Sequence, residues 1–204
     1  VGKSMSTNVF DIIGPVMIGP SSSHTAGAVR LGLITREILG SRPKKAVISL
    51  HGSFAKTGVG HGTDKAIAGG LLGYEPADPR IRSSLQTAAE LHLDYQFKNV
   101  DLGDVHPNTV LIELWSEDGK QATVSGSSVG GGAVKMESVN GMDVSFNAEY
   151  STLVIPHKDE PGVIAAVTSI LAEKNVNIAR MKIFRKNRGG IAYMIIETER
   201  KPIS

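Results

Sequence analysis

Five consecutive residues, Ser21-Ser22-Ser23-His24-Thr25, set four hydroxyls and an imidazole between Gly19-Pro20 and an apolar run of helical period, Ala26, Val29, Leu33, Ile34 and Ile38. A Gly-Pro break followed by such a run predicts a helix N-terminus, with one of Ser21 to Ser23 capping the first turn through its hydroxyl. Backbone N–H groups and the positive end of the helix dipole favour a carboxylate or phosphate there. The hydroxyls add donors, and His24 adds a group that titrates near neutrality. The plain alternative is a serine cap with a surface histidine beside it.

A second stretch, His51 to Asp64 (HGSFAKTGVGHGTD), gathers four glycines, two histidines, two threonines, a serine, a lysine and an aspartate. It lies between a β-rich segment, Ala46 to Leu50, and a helix expected from Thr63 or Asp64 to Leu72 with Gly73 as the stop. This predicts a glycine-rich strand-to-helix loop that can cradle an anion on its amides. It is not the phosphate loop GxxxxGK followed by Ser or Thr, and GVGHG matches GxGxxG only loosely. His61 is a second imidazole here. Lys56, Thr63 and Asp64 are candidate contacts for an ammonium or a carboxylate. The plain alternative is a flexible loop.

The elements that position these residues follow from pattern. Phe10 to Ile18 reads as extended, and the first helix as ending near Gly40, a C′ glycine. Arg80 to about His92 looks helical, with Leu85, Ala88, Ala89 and His92 on one face. Thr109 to Trp115 and Gln121 to Ser127 are strands joined at Glu117-Asp118-Gly119, and Ala133 to Val139 and Met142 to Phe146 flank the hairpin signal Asn140-Gly141. The middle region is thus an antiparallel meander packed on the earlier helices. A boundary falls at the polar spacer Asn147 to Glu149, giving domains 5–147 and 148–204. The second reads strand, loop (His157 to Gly162), helix (Val163 to Lys174, with Val163, Val167, Ile170 and Leu171 inward), strand (Ile178 to Phe184) and strand (Ile191 to Glu197). That is most of a ferredoxin-like unit. Its second helix and last strand are not seen before Lys201-Pro202-Ile203-Ser204, where Ser204 could cap that helix. The fold class is α+β.

Composition narrows the partners. At 204 residues and net charge +2, the chain has no basic run with interleaved aromatics, so nucleic acid is not expected. No apolar stretch is long enough to cross a bilayer, and no signal-peptide pattern opens the chain, so no membrane is expected and the cytoplasm is the default compartment. Cys is absent, which excludes disulfides and any thiolate-held cluster built from this chain.

GPSSSHTAGAVRLG and HGSFAKTGVGHGTDKA, in that order and separation, resemble the beta-chain family of the iron–sulfur-dependent L-serine dehydratases (L-serine ammonia-lyases). The stretch containing DEPGVIAAVTSILAEKNVNI resembles an ACT domain. The resemblance covers nearly the whole chain from about Phe10. It implies a front domain of helices on an antiparallel sheet, similar to the allosteric substrate-binding domain of some phosphoglycerate dehydrogenases, followed by the ACT domain. It implies that L-serine loses water and is converted to pyruvate and ammonia, with a 4Fe-4S cluster held by a separate alpha chain, which the lack of Cys fits. This chain would not be active alone. Ser21, Ser22, Ser23 and Thr25 would hold the substrate carboxylate, His24 or His61 would accept the proton or orient the substrate, and Lys56, Thr63 and Asp64 are second choices for substrate contacts. ACT modules pair, which implies a homodimer. Pro161 and Gly162 sit where ACT effectors dock, although Gly162 also suits a tight turn. A competing reading is a regulatory subunit that binds serine or another small carboxylate as effector. A third is an ACT domain that only dimerises.

Overall fold

The computed structural model describes residues 22–199. The extended segment expected over Phe10 to Ile18, the candidate Ser21 and the tail Lys201 to Ser204 lie outside them.

The first described element is a π-helical turn, Ser23–Gly27, closed by Gly27 N donating to Ser22 O at 3.0 Å. It runs directly into α1, Ala28–Leu39. The expected serine cap is corrected for Ser22: its own φ and ψ (−60°, −37°) are helical and its side chain makes no capping bond. A capping residue needs non-helical backbone, and Ser22 has already entered the helix. The other end is as expected. Gly40 stands at φ 69° and its N–H meets the carbonyls of Arg36 and Glu37.

The larger correction concerns the second motif. The predicted glycine loop is a helix, α2, Gly52–His61, followed by α3, Thr63–Leu71, with only Gly62 between them at φ 74°. Interior glycine costs a helix up to about 1 kcal/mol. Packing offsets that cost here: Phe54 is fully buried, and a Cβ at Gly58 would stand 3.3 Å from that of Thr63, so the glycine lets α3 close on α2. Two further glycines set the crossing of α1 on α3. A Cβ at Gly32 would lie 2.5 Å from Ile67 O, and one at Gly70 would run into the carbonyl of Val29.

These helices cover a six-stranded sheet of order β2-β1-β3-β4-β5-β6: β1 Pro43–Leu50, β2 Asp94–Asn99, β3 Thr109–Ser116, β4 Gln121–Gly130, β5 Ala133–Val139 and β6 Met142–Phe146. The sheet is antiparallel except at one edge, where β2 pairs parallel to β1. That strand was not expected, and its crossover carries α2, α3, a 3-10 turn (Pro79–Ser83) and α4, Ser84–Glu90. The single helix expected from Arg80 to His92 is thus split and ends earlier. His92 is exposed at φ 56°, and Ala89 is exposed, so neither lies on a buried helical face. On β3, Val110, Ile112 and Leu114 are buried, in the alternation a half-covered strand requires.

A separate three-stranded sheet has order β7-β9-β8: β7 Ser151–Lys158, β8 Ile178–Arg185 and β9 Ile191–Thr198, with α5, Val163–Glu173, connecting β7 to β8. Leu171 of α5 packs on Met194 and Ile196, with Val163 and Val167 beside it. Ile170, expected inward, is instead 54% exposed. The opposite face of this sheet, with Tyr193 and Ile195, joins the apolar core of the first sheet.

Candidate active site

The π turn carries His24 into the space beside the end of α2. Its ring centroid is 4.9 Å from that of His61 and 5.2 Å from Phe54, edge-on to the latter. The two motifs, 37 residues apart in sequence, therefore meet at their histidines. His24 is 8% exposed. Burial first, and the neighbouring His61 second, hold its pKa below the ordinary histidine value, while the Ser53 carbonyl works in the opposite sense. The His24 imidazole is therefore neutral in neutral solution.

Two hydroxyls from α2 face Nε2 of His24: Thr57 Oγ1 at 3.1 Å and Ser53 Oγ at 3.3 Å. Neither was among the sequence candidates. Ser53, Thr57 and His61 are spaced four apart and share one face of α2.

Several polar atoms here are buried with no hydrogen-bond partner among the described residues. His61 Nδ1 and Thr63 Oγ1 are two of them, and Thr63 is fully buried. On β4, Ser128 is fully buried against the π turn, where a Cβ at Gly27 would overlap its side chain; its hydroxyl also has no partner. An unsatisfied buried polar group costs about 1–3 kcal/mol.

The remaining candidates are placed as follows. Ser22 and Ser23 are half-buried at the start of the turn, and Thr25 is buried within it. Asp64 is half-buried, its carboxylate accepting from Lys65 N at 2.8 Å. Lys56 is exposed on α2. Pro161 and Gly162 are exposed before α5, far along the chain in the second sheet's loop, with Gly162 at φ 92°. A cavity of about 450 Å³ between α1 and the second sheet, lined by Leu33, Ile34, Phe146, Val154 and Tyr193 among others, contains neither histidine.

The donor set does not fit an iron–sulfur cluster. The chain has no Cys, and among the described residues no group of three or more His, Asp or Glu could hold a metal ion. Among them, too, no helix is long and apolar enough to cross a membrane.

Residues 8–103 match the family described as serine dehydratase beta chain, and residues 151–204 match the ACT domain. The probable L-serine dehydratase, beta chain, of Bacillus subtilis (strain 168) is 43% identical over 192 residues, covering 94% of this chain and 87% of that one. The L-serine dehydratase, beta chain, of Peptoniphilus asaccharolyticus is 40% identical over 198 residues, covering 97% and 89%. L-serine dehydratase 1 of Escherichia coli (strain K12) is 33% identical over an alignment of 163 residues, covering 68% of this chain and 35% of that longer one.

Proposed function

The chain belongs to the L-serine dehydratase beta-chain family and ends in an ACT domain, and on that premise we propose that it supplies half of a composite site for the dehydration of L-serine. The other half would be an alpha chain, whose residues rather than this chain's would hold a 4Fe-4S cluster; when bound, the cluster would supply Lewis acidity toward the serine hydroxyl. The beta chain binds the substrate and handles its Cα proton. Loss of that proton and of the β-hydroxyl leaves an enamine. Its imine tautomer hydrolyses to pyruvate and ammonia, so the water lost is the water regained.

The observation that carries this reading is the ring contact of the neutral His24 imidazole with His61, whose Nδ1 is buried without a partner among the described residues, as is Thr63 Oγ1 two residues further along the chain. Buried polar atoms are otherwise paired. A small ligand with a carboxylate and an ammonium has the groups to satisfy them. Ser22, Ser23 and Thr25 lie on the turn next to His24 and suit the carboxylate, and each charge-assisted bond would contribute about 1.5–3 kcal/mol. Ser21 belongs to the same motif. Thr63 and Asp64 remain substrate contacts, whereas the exposure of Lys56 favours a place at the rim, toward the partner. His24 and His61 provide the proton acceptor and its neighbour; such catalysis is worth on the order of 10²–10⁴-fold.

The ACT domain gives a second reading, regulation by a small carboxylate at Pro161-Gly162, alongside pairing of two copies. The exposed Ile164, Ile170 and Ile191 favour pairing. The two domains divide at 147/148. The test of the catalytic reading is the reconstituted two-chain enzyme carrying His24→Ala or His61→Ala. At least one is expected to lose turnover by two orders of magnitude or more; near-normal turnover in both would remove the histidines from the chemistry.

A further inference from the structure

At the end of α1 remote from the histidines, a cavity of about 240 Å³ lies where α1, α3 and α4 all terminate. Arg36 and Arg42 line it, with apolar walls from Leu71, Leu72, Leu91 and Leu93, and no acidic side chain is among its lining residues. Arg36 is half-buried and forms no side-chain hydrogen bond among the described residues. Its Nε is buried without a partner. Its one ion pair among them is with the exposed Glu37, whose carboxylate stands 3.7 Å from Nη1, beyond hydrogen-bond reach. A guanidinium carries five N–H donors and accepts nothing, so this one has its full set to give. It lies against Gly73, where a Cβ would run into Nη1; the glycine leaves the guanidinium its place. Arg42 is exposed and gives one N–H to Leu91 O at 3.2 Å.

An arginine near the end of a helix ordinarily opposes the carbonyl end of its dipole. Arg42 does so for α4 through Leu91 O. Arg36 does not. The terminal carbonyls of α1 and α3 accept instead from Gly40 N, Leu72 N and Gly73 N, and no Arg36 donor reaches one. Two guanidiniums on one apolar-walled cavity with no counter-ion repel each other and keep unused donors. We infer that this cavity is an oxyanion site, in which Arg36, with Arg42, takes the carboxylate or phosphate group of a small ligand. The planar fork of a guanidinium suits both groups. The volume is below that of a site for a drug-sized molecule, and the leucines leave the remainder of the ligand an apolar surface. Arg36 follows His24 by twelve residues, roughly 18 Å at the rise of a helix. The oxyanion held here is therefore not the molecule at the histidines, and the inference is independent of the reaction proposed for them and of the Pro161-Gly162 reading.

The test titrates the full chain by calorimetry with inorganic phosphate and, separately, with propanoate, at fixed ionic strength and in a buffer without other oxyanions. Saturable binding of one equivalent is expected from at least one of them, and which one binds identifies the group the arginines hold. Arg36→Gln should weaken that binding about tenfold or more, as the loss of a charge-assisted bond does, and Arg42→Gln should weaken it too. Urea midpoints check that each variant is folded. In the native chain labelled with ¹⁵N-arginine, the Arg36 Nε–H signal, assigned by its loss in Arg36→Lys, should shift along the same saturation curve, a reading that needs no folded glutamine variant. His24→Gln should bind as the native chain does. No saturable binding of either anion, binding that leaves the Arg36 signal unmoved, or full binding in folded Arg36→Gln would overturn the inference. Binding abolished by His24→Gln would overturn it as well, by placing the anion at the histidines.

Discussion

At the scale of single residues, the account turns on a buried imidazole that stays neutral. Its pKa in the folded chain is held below the unfolded value, chiefly by burial. Between the two pKa values the unfolded chain binds the extra proton and the folded chain does not, so stability rises with pH across that window. The contribution is therefore intact above about pH 6.5 and is lost as pH falls from there through the folded value. Thermal unfolding followed from pH 8 to pH 5 should show a falling midpoint, with a shallower fall in His24→Gln; equal slopes would mean that His24 is as readily protonated folded as unfolded. His24 and His61 could be picked from the sequence because imidazoles among hydroxyls and glycines are chemically conspicuous. Ser53 and Thr57 were not, because their contacts with His24 form only once the stretch is helical. The four-residue spacing of Ser53, Thr57 and His61 was present in the sequence, but four glycines in fourteen residues argued for a loop.

At the scale of elements, tertiary packing overrode local preference. Glycines that read as flexibility are contact points. Gly58 admits Thr63, and Gly32 and Gly70 let α1 and α3 approach at backbone distance. This has a consequence whose sign is informative. Gly→Ala inside a helix normally stabilises, by up to about 1 kcal/mol. At Gly70 the added methyl meets the carbonyl of Val29, so Gly70→Ala should instead destabilise by about 1–3 kcal/mol in urea unfolding. A stabilised variant would contradict the close crossing that sets α3, and with it Thr63, beside the π turn. Hairpins were easier to read. Asn140-Gly141 forms its turn with both residues at positive φ, 50° and 76°. Asn140 also accepts from Thr123 N at 2.9 Å and donates to Tyr193 Oη at 3.0 Å, a tertiary use no turn rule predicts. The edge strand β2 was missed because its parallel pairing with β1 depends on a long crossover and leaves only a short segment, DYQFKN, in which four of the six residues are polar.

At the scale of the molecule, the polar spacer Asn147 to Glu149 lies between the last strand of the first sheet and the first strand of the second, but no sequence pattern announced the contact between those sheets. Arg30 of α1 donates to Gly132 O at 3.1 Å and to Ala148 O at 2.8 Å, tying the helix that follows the histidine turn to the segment that leads into the ACT domain. Lys182 of β8 donates to Ser145 O at 3.0 Å, and Tyr193 and Ile195 of β9 share the core of the first sheet. The ACT domain is therefore packed onto the domain that holds the histidines, with α1 common to both. On the proposed reading this frame carries half a site, which would perform no reaction until a partner brought the other half. Anaerobic pyruvate formation from L-serine measures this directly, comparing the beta chain alone, the cluster-bearing alpha chain alone and the two together. The account predicts turnover only from the combination. Full turnover by the alpha chain alone would contradict it and leave this chain a regulatory subunit.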